Sequence, residues 1–334
     1  MELYLPVIWA ALIGTAVVLY VILDGFDLGI GILFPFAKSE RERDQMMDSV
    51  APFWDGNETW LVLGGAGLLV AFPKAYAVIM PAMYLPVIVM LLALIFRGVS
   101  FEFRHIARSS KKYWNLAFAG GSIVAAFAQG VILGGLIQGI VVRNGQFAGG
   151  PFDWLTPFAL LVGVSVVAGY ALLGATWLIV RTEGGVAKRA RVHAKILLFA
   201  VLAAMAVVSL WTPIAFERIA ARWFTTPNIY FLWPLPAATG VLALALWKWL
   251  DEGREYAPFL ASIGLFLLGY IGIVISNFPF LVPPALTVWQ TAAVPASQIF
   301  MLIGTVALLP IILGYIAFVY WVFWGKLREG EGYH

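Results

Sequence analysis

Long uncharged, mostly apolar runs make up most of this chain, and its charges gather in the short segments between them. Residues 6–23 carry no charge, and the apolar pattern continues past Asp24 and Asp27 to about Pro35. Further uncharged runs occupy 59–73, 75–96, 113–142, 154–180, 196–216, 223–247 and 256–325. A helix crosses a bilayer with about 20 such residues. The last run would form a helix of about 105 Å, too long for one crossing. Pro279, Pro283, Pro284 and Pro295 place a turn near its middle. The pattern therefore predicts an all-α integral membrane protein of about nine transmembrane helices, with spans two and three joined by a very tight turn at Pro73-Lys74. The charged segment at about 37–51 reads as a short surface helix, a solvated connector on the cytoplasmic side. No short repeat or soluble domain interrupts the chain, so 1–334 reads as a single polytopic membrane domain.

Charge fixes an orientation. With nine spans, alternate connections share a side, and all but four of the 21 Lys and Arg fall on one side. The four on the other are Lys74, Arg143, Arg218 and Arg222. By the positive-inside bias the N-terminus lies in the periplasm and the C-terminus in the cytoplasm. Trp54, Trp114, Trp247 and Trp324 then fall near inner ends and Trp211, Trp223, Trp233 and Trp289 near outer ones, as interfacial belts do. Charged residues are only 12% of the chain, about half the share of a soluble domain. The net charge of +3 suits lipid headgroups better than nucleic acid. With no cysteine, disulfides and thiolate metal sites are excluded. The first segment lacks a basic leader and a clear cleavage site, so it reads as a retained helix.

Ionisable groups inside a bilayer cost about 2.5–3.5 kcal/mol each on insertion scales, so their presence points to a use. Asp24 and Asp27, in DGFDLGIG, are three apart and share a helix face. Asp24 lies about 16 Å from the cytoplasmic end of its span, near mid-bilayer. Gly25, Gly29 and Gly31 let another helix approach closely and make this stretch a candidate partner contact. A second group, Trp54-Asp55-Gly56-Asn57-Glu58, opens span two, and Arg97 and Glu102 close span three, all on the cytoplasmic side. Asp24, Asp27, Asp55, Glu58 and Glu102 are therefore expected to converge on one quadrant, with Arg97 as counter-charge and Trp54 and Asn57 in support. Such a chain of carboxyls has the chemistry of a proton pathway. At Asp55 and Glu58 helix capping explains an acid equally well.

None of the three His (His105, His193, His334) falls mid-span, so the chain is expected to bind no haem of its own. Met83, Met90, Met205 and Met301 read as packing residues. Ser276-Asn277 ends span eight with a polar pair that suits a helix–helix contact better than the alternative, a quinone-sized groove. No site for catalysis, metal or cofactor is expected in this chain.

Four blocks together carry a resemblance: DGFDLGIG, APFWDGNETWLV, FRGVSFEFR and SNFPFLVPPALTVWQTAAVPASQ. They resemble subunit II of the cytochrome bd-type quinol oxidases, over about residues 5–325. The resemblance implies two four-helix bundles plus a peripheral helix, in the bacterial cytoplasmic (inner) membrane. It implies a partner, subunit I, that carries the haems b and d and the quinol site, while subunit II is haem-free. The complex oxidises quinol and reduces dioxygen to water, separating charge without pumping. Asp55 stands on a cytoplasmic proton route in this picture, with Asp24 and Asp27 near it. Glu58 occupies a position that the family fills variously, and Glu102 stands where some relatives have Asp. The resemblance also allows a structural quinone and small single-helix accessory subunits. Two other readings use the same acids: a proton-coupled secondary transporter, or a structural subunit whose acids are all ion pairs.

Overall fold

The structure is a computed structural model that describes residues 3–107 and 109–327. Its chain order is α1 Leu5–Leu33, a 3-10 turn Phe34–Phe36, α2 Glu40–Asp48, α3 Trp54–Ala71, α4 Pro73–Ile106, α5 Lys111–Gln138, α6 Pro157–Arg181, α7 Gly184–Ala215, α8 Glu217–Phe224, α9 Asn228–Leu232, α10 Pro234–Asp251, α11 Tyr256–Asn277, α12 Val288–Thr291 and α13 Pro295–Val322. Two small hairpins, Val142–Arg143 with Gln146–Phe147 and Phe280–Val282 with Leu286–Thr287, cap loops between spans. Helices prevail because a backbone in lipid must satisfy its own hydrogen bonds. Prolines stand at or near the first positions of α1, α4, α6, α10 and α13, where a missing N–H costs nothing.

Among the described residues eight helices are long and apolar enough to cross a membrane. The ninth long helix, α3, has 18 residues and holds Asp55 and Glu58 near its start. The tight turn between spans two and three is a single residue, Phe72. Two boundaries differ from the sequence expectation. α4 runs on to Ile106, so Arg97, Glu102 and Arg104 are helical and not in a loop. The run 223–247 is broken into the end of α8, α9 and α10, because Pro227 and Pro234 interrupt it.

The helices α1, α3, α4 and α5 form one bundle, and α6, α7, α10 and α11 form a second. The bundles meet where α1 and α5 pack on α6, and α13 lies outside against α1 and α3. Small residues make the central seam. A Cβ on Gly29 would sit 1.9 Å from the Tyr170 carbonyl oxygen, and one on Gly174 2.4 Å from the Gly29 carbonyl carbon. Gly130 and Gly163 meet in the same way between α5 and α6. The glycines of the first span are thus spent inside the chain, against Tyr170, Gly174 and Ser122, and are not a contact for a partner.

On the side rich in Lys and Arg, α2 is more than a solvated connector. Ser39 caps it, accepting from the Glu42 N–H at 3.2 Å. Buried Arg104 of α4 pairs with Glu40 at 3.0 Å and Asp44 at 2.5 Å, and donates from Nε to Asn115 of α5 at 2.6 Å. Lys111 reaches Asp44 at 3.0 Å, and Arg189 of α7 pairs with Glu42. One nine-residue helix therefore ties both bundles together. The bond from Arg189 holds the Glu42 carboxyl below its usual range. At Asp44 partial burial opposes ionisation, but Arg104 and Lys111 outweigh it and the carboxyl is again held low. At the opposite side Arg218 Nη1 donates to Asn277 Oδ1 at 3.0 Å, and Trp223 Nε1 to Ser276 at 2.8 Å. The polar pair that ends α11 therefore makes the helix–helix contact expected of it.

Gly29→Ala should destabilise the assembled fold by about 3 kcal/mol, the upper end of overpacking costs. Gly240→Ala, where a Cβ meets nothing within 4 Å, should be neutral. Thermal unfolding of both variants checks this. The α2 tie carries a pH signature of its own. Carboxyls held low in the folded state contribute stability above the ordinary carboxylate range and lose it as pH falls through that range. Melting temperature should therefore fall between neutral pH and about pH 4, and fall less in Glu42→Gln. The same slope in both proteins would remove Glu42 from the tie.

Candidate functional site

On the side rich in Lys and Arg, the halves of α1, α3 and α4 bring their acidic and basic side chains to one buried point. Asp24 and Asp27, one turn apart on α1, face Arg97 of α4. Arg97 Nη1 lies 2.9 Å from Asp24 Oδ1 and 2.6 Å from Glu58 Oε1, and Nη2 lies 3.8 Å from Asp27 Oδ2. Asp24, Asp27, Asn57 and Arg97 are all 0% exposed, whereas the Glu58 side chain is 26% exposed. Glu58 is therefore the one member of the ion cluster that reaches the surface of the chain. Trp54 stacks on Phe101 at 4.8 Å, and the guanidinium carbon of Arg97 lies 6.0 Å and 5.8 Å from the two ring centres. These rings pack against the cation. Gly98 gives Trp54 its room, since a Cβ there would approach the indole to 3.2 Å.

Two hydrogen-bonded arms leave the cluster. In one, Asn57 Nδ2 donates to Asp27 Oδ2 at 2.7 Å and to the Leu23 carbonyl at 3.4 Å, and Asn57 Oδ1 accepts from the Tyr320 hydroxyl at 3.0 Å. In the other, Gln129 Nε2 donates to the hydroxyl of Tyr20, one turn before Asp24, at 2.7 Å. Gln129 Oε1 accepts from Tyr170 at 2.7 Å.

Three carboxyls facing one guanidinium form a set that protons can bring to charge balance. Arginine stays charged under all ordinary conditions, so it serves as a fixed counter-ion and any change of protonation would fall on the acids. The cluster therefore has the composition of a buried proton-holding site open at Glu58.

Of the residues singled out in the sequence, Asp24, Asp27, Glu58 and Arg97 converge, with Asn57 and Trp54 beside them as expected. Asp55 and Glu102 do not join them. Both are exposed and form no ion pair among the described residues. The helical repeat explains this. Five residues along α4 turn Glu102 by about 140° from Arg97. Asp55 is rotated by about 60° from Glu58 on α3 and has a shorter side chain. Arg104, seven residues after Arg97, returns to the same face and is buried under α2. Tyr20, Gln129, Tyr170 and Tyr320 escaped the sequence reading. Tyr20 carried a signal, being four residues before Asp24, and Gln129 is a polar residue inside an uncharged span. Tyr170 and Tyr320 carried none that separates them from interfacial tyrosines. His105 lies at the edge, 3.8 Å from Asp48, and the His193 ring packs on Phe36 at 5.6 Å. His334 lies outside the described residues. Met83 and Met90 are buried packing residues.

Removing the counter-ion from such a site is costly. Arg97→Met should destabilise the protein by about 3–5 kcal/mol, because it strands buried acids without a cation. Adding Asp24→Asn to that variant should restore part of the loss, as read by thermal unfolding. No recovery in the double variant would show that Asp24 and Arg97 do not compensate each other.

A sequence model described as cytochrome bd terminal oxidase subunit II matches residues 5–323. The chain is 29% identical over 371 residues to cytochrome bd-I ubiquinol oxidase subunit 2 of Escherichia coli (strain K12), covering 97% of this chain and 95% of that protein. It is 29% identical over 338 residues to cytochrome bd ubiquinol oxidase subunit 2 of Bacillus subtilis (strain 168), covering 97% of each. The fold matches a chain in the structure of bd oxidase from Geobacillus thermodenitrificans with a TM-score of 0.75 at 17% identity, over 96% of this chain and 98% of that one. The family match spans all the long helices and takes in the acids of α1 and α3, so this chain belongs to the cytochrome bd terminal oxidase subunit II family.

Proposed function

We propose that this chain is the haem-free subunit II of a quinol oxidase in the bacterial cytoplasmic membrane, and that it carries protons from the cytoplasm toward a haem-bearing subunit I. Within that complex quinol is oxidised, dioxygen is reduced to water, and haems b and d belong to subunit I. The observation that carries this reading is the buried Asp24–Asp27–Glu58–Arg97 cluster, open at Glu58 on the side rich in Lys and Arg. That side is the cytoplasmic one by the positive-inside bias. Protons reach the exposed Asp55 and Glu102, pass to Glu58, and are held by Asp27 and Asp24 against the fixed charge of Arg97. Quinol releases its own protons on the outer side, so charge separates across the membrane without pumping.

The exposed faces of α3 and α4 suit the contact with subunit I. They present Asp55, Thr59 and Glu102, which lipid solvates poorly, beside Gly56 and Gly65, where a Cβ meets nothing within 4 Å. A proton-coupled transporter would use the same acids, but family membership favours the oxidase.

Purification through a tag on this chain should bring down a larger haem-bearing subunit together with quinol-driven oxygen uptake. A colourless chain that purifies alone overturns the oxidase reading. In the complex, Asp27→Asn should lower oxygen uptake about ten-fold or more, a typical contribution of a positioned proton-transfer group being 10²–10⁴, with haem bands unchanged. Asp55→Asn should act in the same direction. Loss of the complex itself would instead mark these acids as structural.

A further inference from the structure

The peripheral helix α13 is nearly detached from the two bundles, and of its 28 residues only Gln298 is buried. It nevertheless sends one polar group into the acid cluster. The Tyr320 hydroxyl donates to Asn57 Oδ1 at 3.0 Å, while the other end of the same amide donates to Asp27 Oδ2 at 2.7 Å. Among the described residues Asn57 is the only hydrogen-bond donor to Asp27, whose Oδ1 has none and whose separation from Arg97 is 3.8 Å. An amide can present either its oxygen or its NH2 to a neighbour. With Tyr320 occupying the oxygen, the NH2 is committed to the carboxyl.

The seat of Tyr320 is built as carefully as its bond. Its ring stacks on Phe53 at 4.4 Å, and Phe53 lies beneath the Arg181 guanidinium at 5.5 Å. Just past α13 the chain continues as a strap, with Leu327 bridged in parallel to Thr182. The Leu327 N–H donates to the Arg181 carbonyl at 2.8 Å, Gln45 Nε2 donates to the Leu327 carbonyl at 2.8 Å, and Lys326 pairs with Glu255 at 2.5 Å. Arg181 also donates to the Gly325 carbonyl. This strap pins the cytoplasmic end of a helix that has few other attachments.

We infer that Tyr320 is a positioning residue of the proton route, holding Asp27 through Asn57 from a helix outside both bundles. The inference rests on the proton-route reading of the acid cluster. Tyr320→Phe removes one oxygen atom and keeps the stacking ring, so it leaves a buried acceptor on Asn57 and frees the amide to turn. In the assembled complex it should lower quinol-driven oxygen uptake by about three- to ten-fold, the scale of one net hydrogen bond. It should also raise the ratio of rates in H2O and D2O, which loss of folded enzyme alone would not do. Tyr315→Phe, on the exposed face of the same helix, is the control and should match the unaltered protein.

The double variant Asp27→Asn, Tyr320→Phe decides whether the effect passes through Asp27. It should be no slower than Asp27→Asn alone. Multiplying losses, or a Tyr320→Phe complex with unaltered turnover, overturns the positioning role. So does a Tyr320→Phe chain that no longer retains its haem-bearing partner, since Tyr320 would then be a docking residue. Full turnover in Asp27→Asn overturns instead the proton-route reading beneath it.

Discussion

A guanidinium in the interior of a membrane protein is tolerable only with carboxyls at hand, and the first bundle is arranged around that requirement. Arg97 stands in α4, yet its partners come from α1 and α3. The three helices must therefore reach one depth together. α4 has to stay helical past the end of its apolar run, and α3 has to begin with the acid-rich turn that a lipid-facing helix would avoid. The rings of Trp54 and Phe101 pack against the cation and add to its enclosure. The three acids that this arrangement collects for one base form the chemical capacity of the site.

Such alignment depends on how closely helices approach. Lipid offers no hydrophobic drive for one apolar helix to prefer another, so packing and polar contacts decide the arrangement. Along the seam of α1 and α6, Gly29 and Gly174 bring the backbones into direct contact and hold the acid-bearing half of α1 at a set depth. On the side rich in Lys and Arg, α2 supplies the polar counterpart, tying α4 and α5 to α7 through Arg104, Lys111 and Arg189. Neither the seam nor the tie touches an acid of the cluster, but both limit how far α1 and α4 can slide past each other.

The two arms leaving the cluster share one chemistry. In each, a primary amide bonds a tyrosine: Asn57 stands between Tyr320 and Asp27, and Gln129 between Tyr170 and Tyr20. An amide carries no proton that titrates near neutral pH, so these bonds orient the groups at the cluster without extending its proton-exchanging set. The acids of the cluster remain Asp24, Asp27 and Glu58, and the surface is met at Glu58.

The long helices, their order and the one-sided bias of Lys and Arg were present in the linear chain, because a backbone in lipid leaves only the helix and because Lys and Arg distribute by side. The importance of Asp24 and Asp27 was also legible, since nothing but use or pairing explains acids in mid-span. Helical periodicity says which residues share a face of one helix. It does not say which faces of different helices meet. Hence Asp55 and Glu102, adjacent to the site in sequence, turn out to the surface. Tyr320, 263 residues from Asn57, and Gln129, 109 residues from Tyr20, turn in. The burial of Arg104 under α2 and the use of Gly29 within the chain belong to the same class. Each follows from the distance and rotation between packed helices, which only the tertiary structure sets.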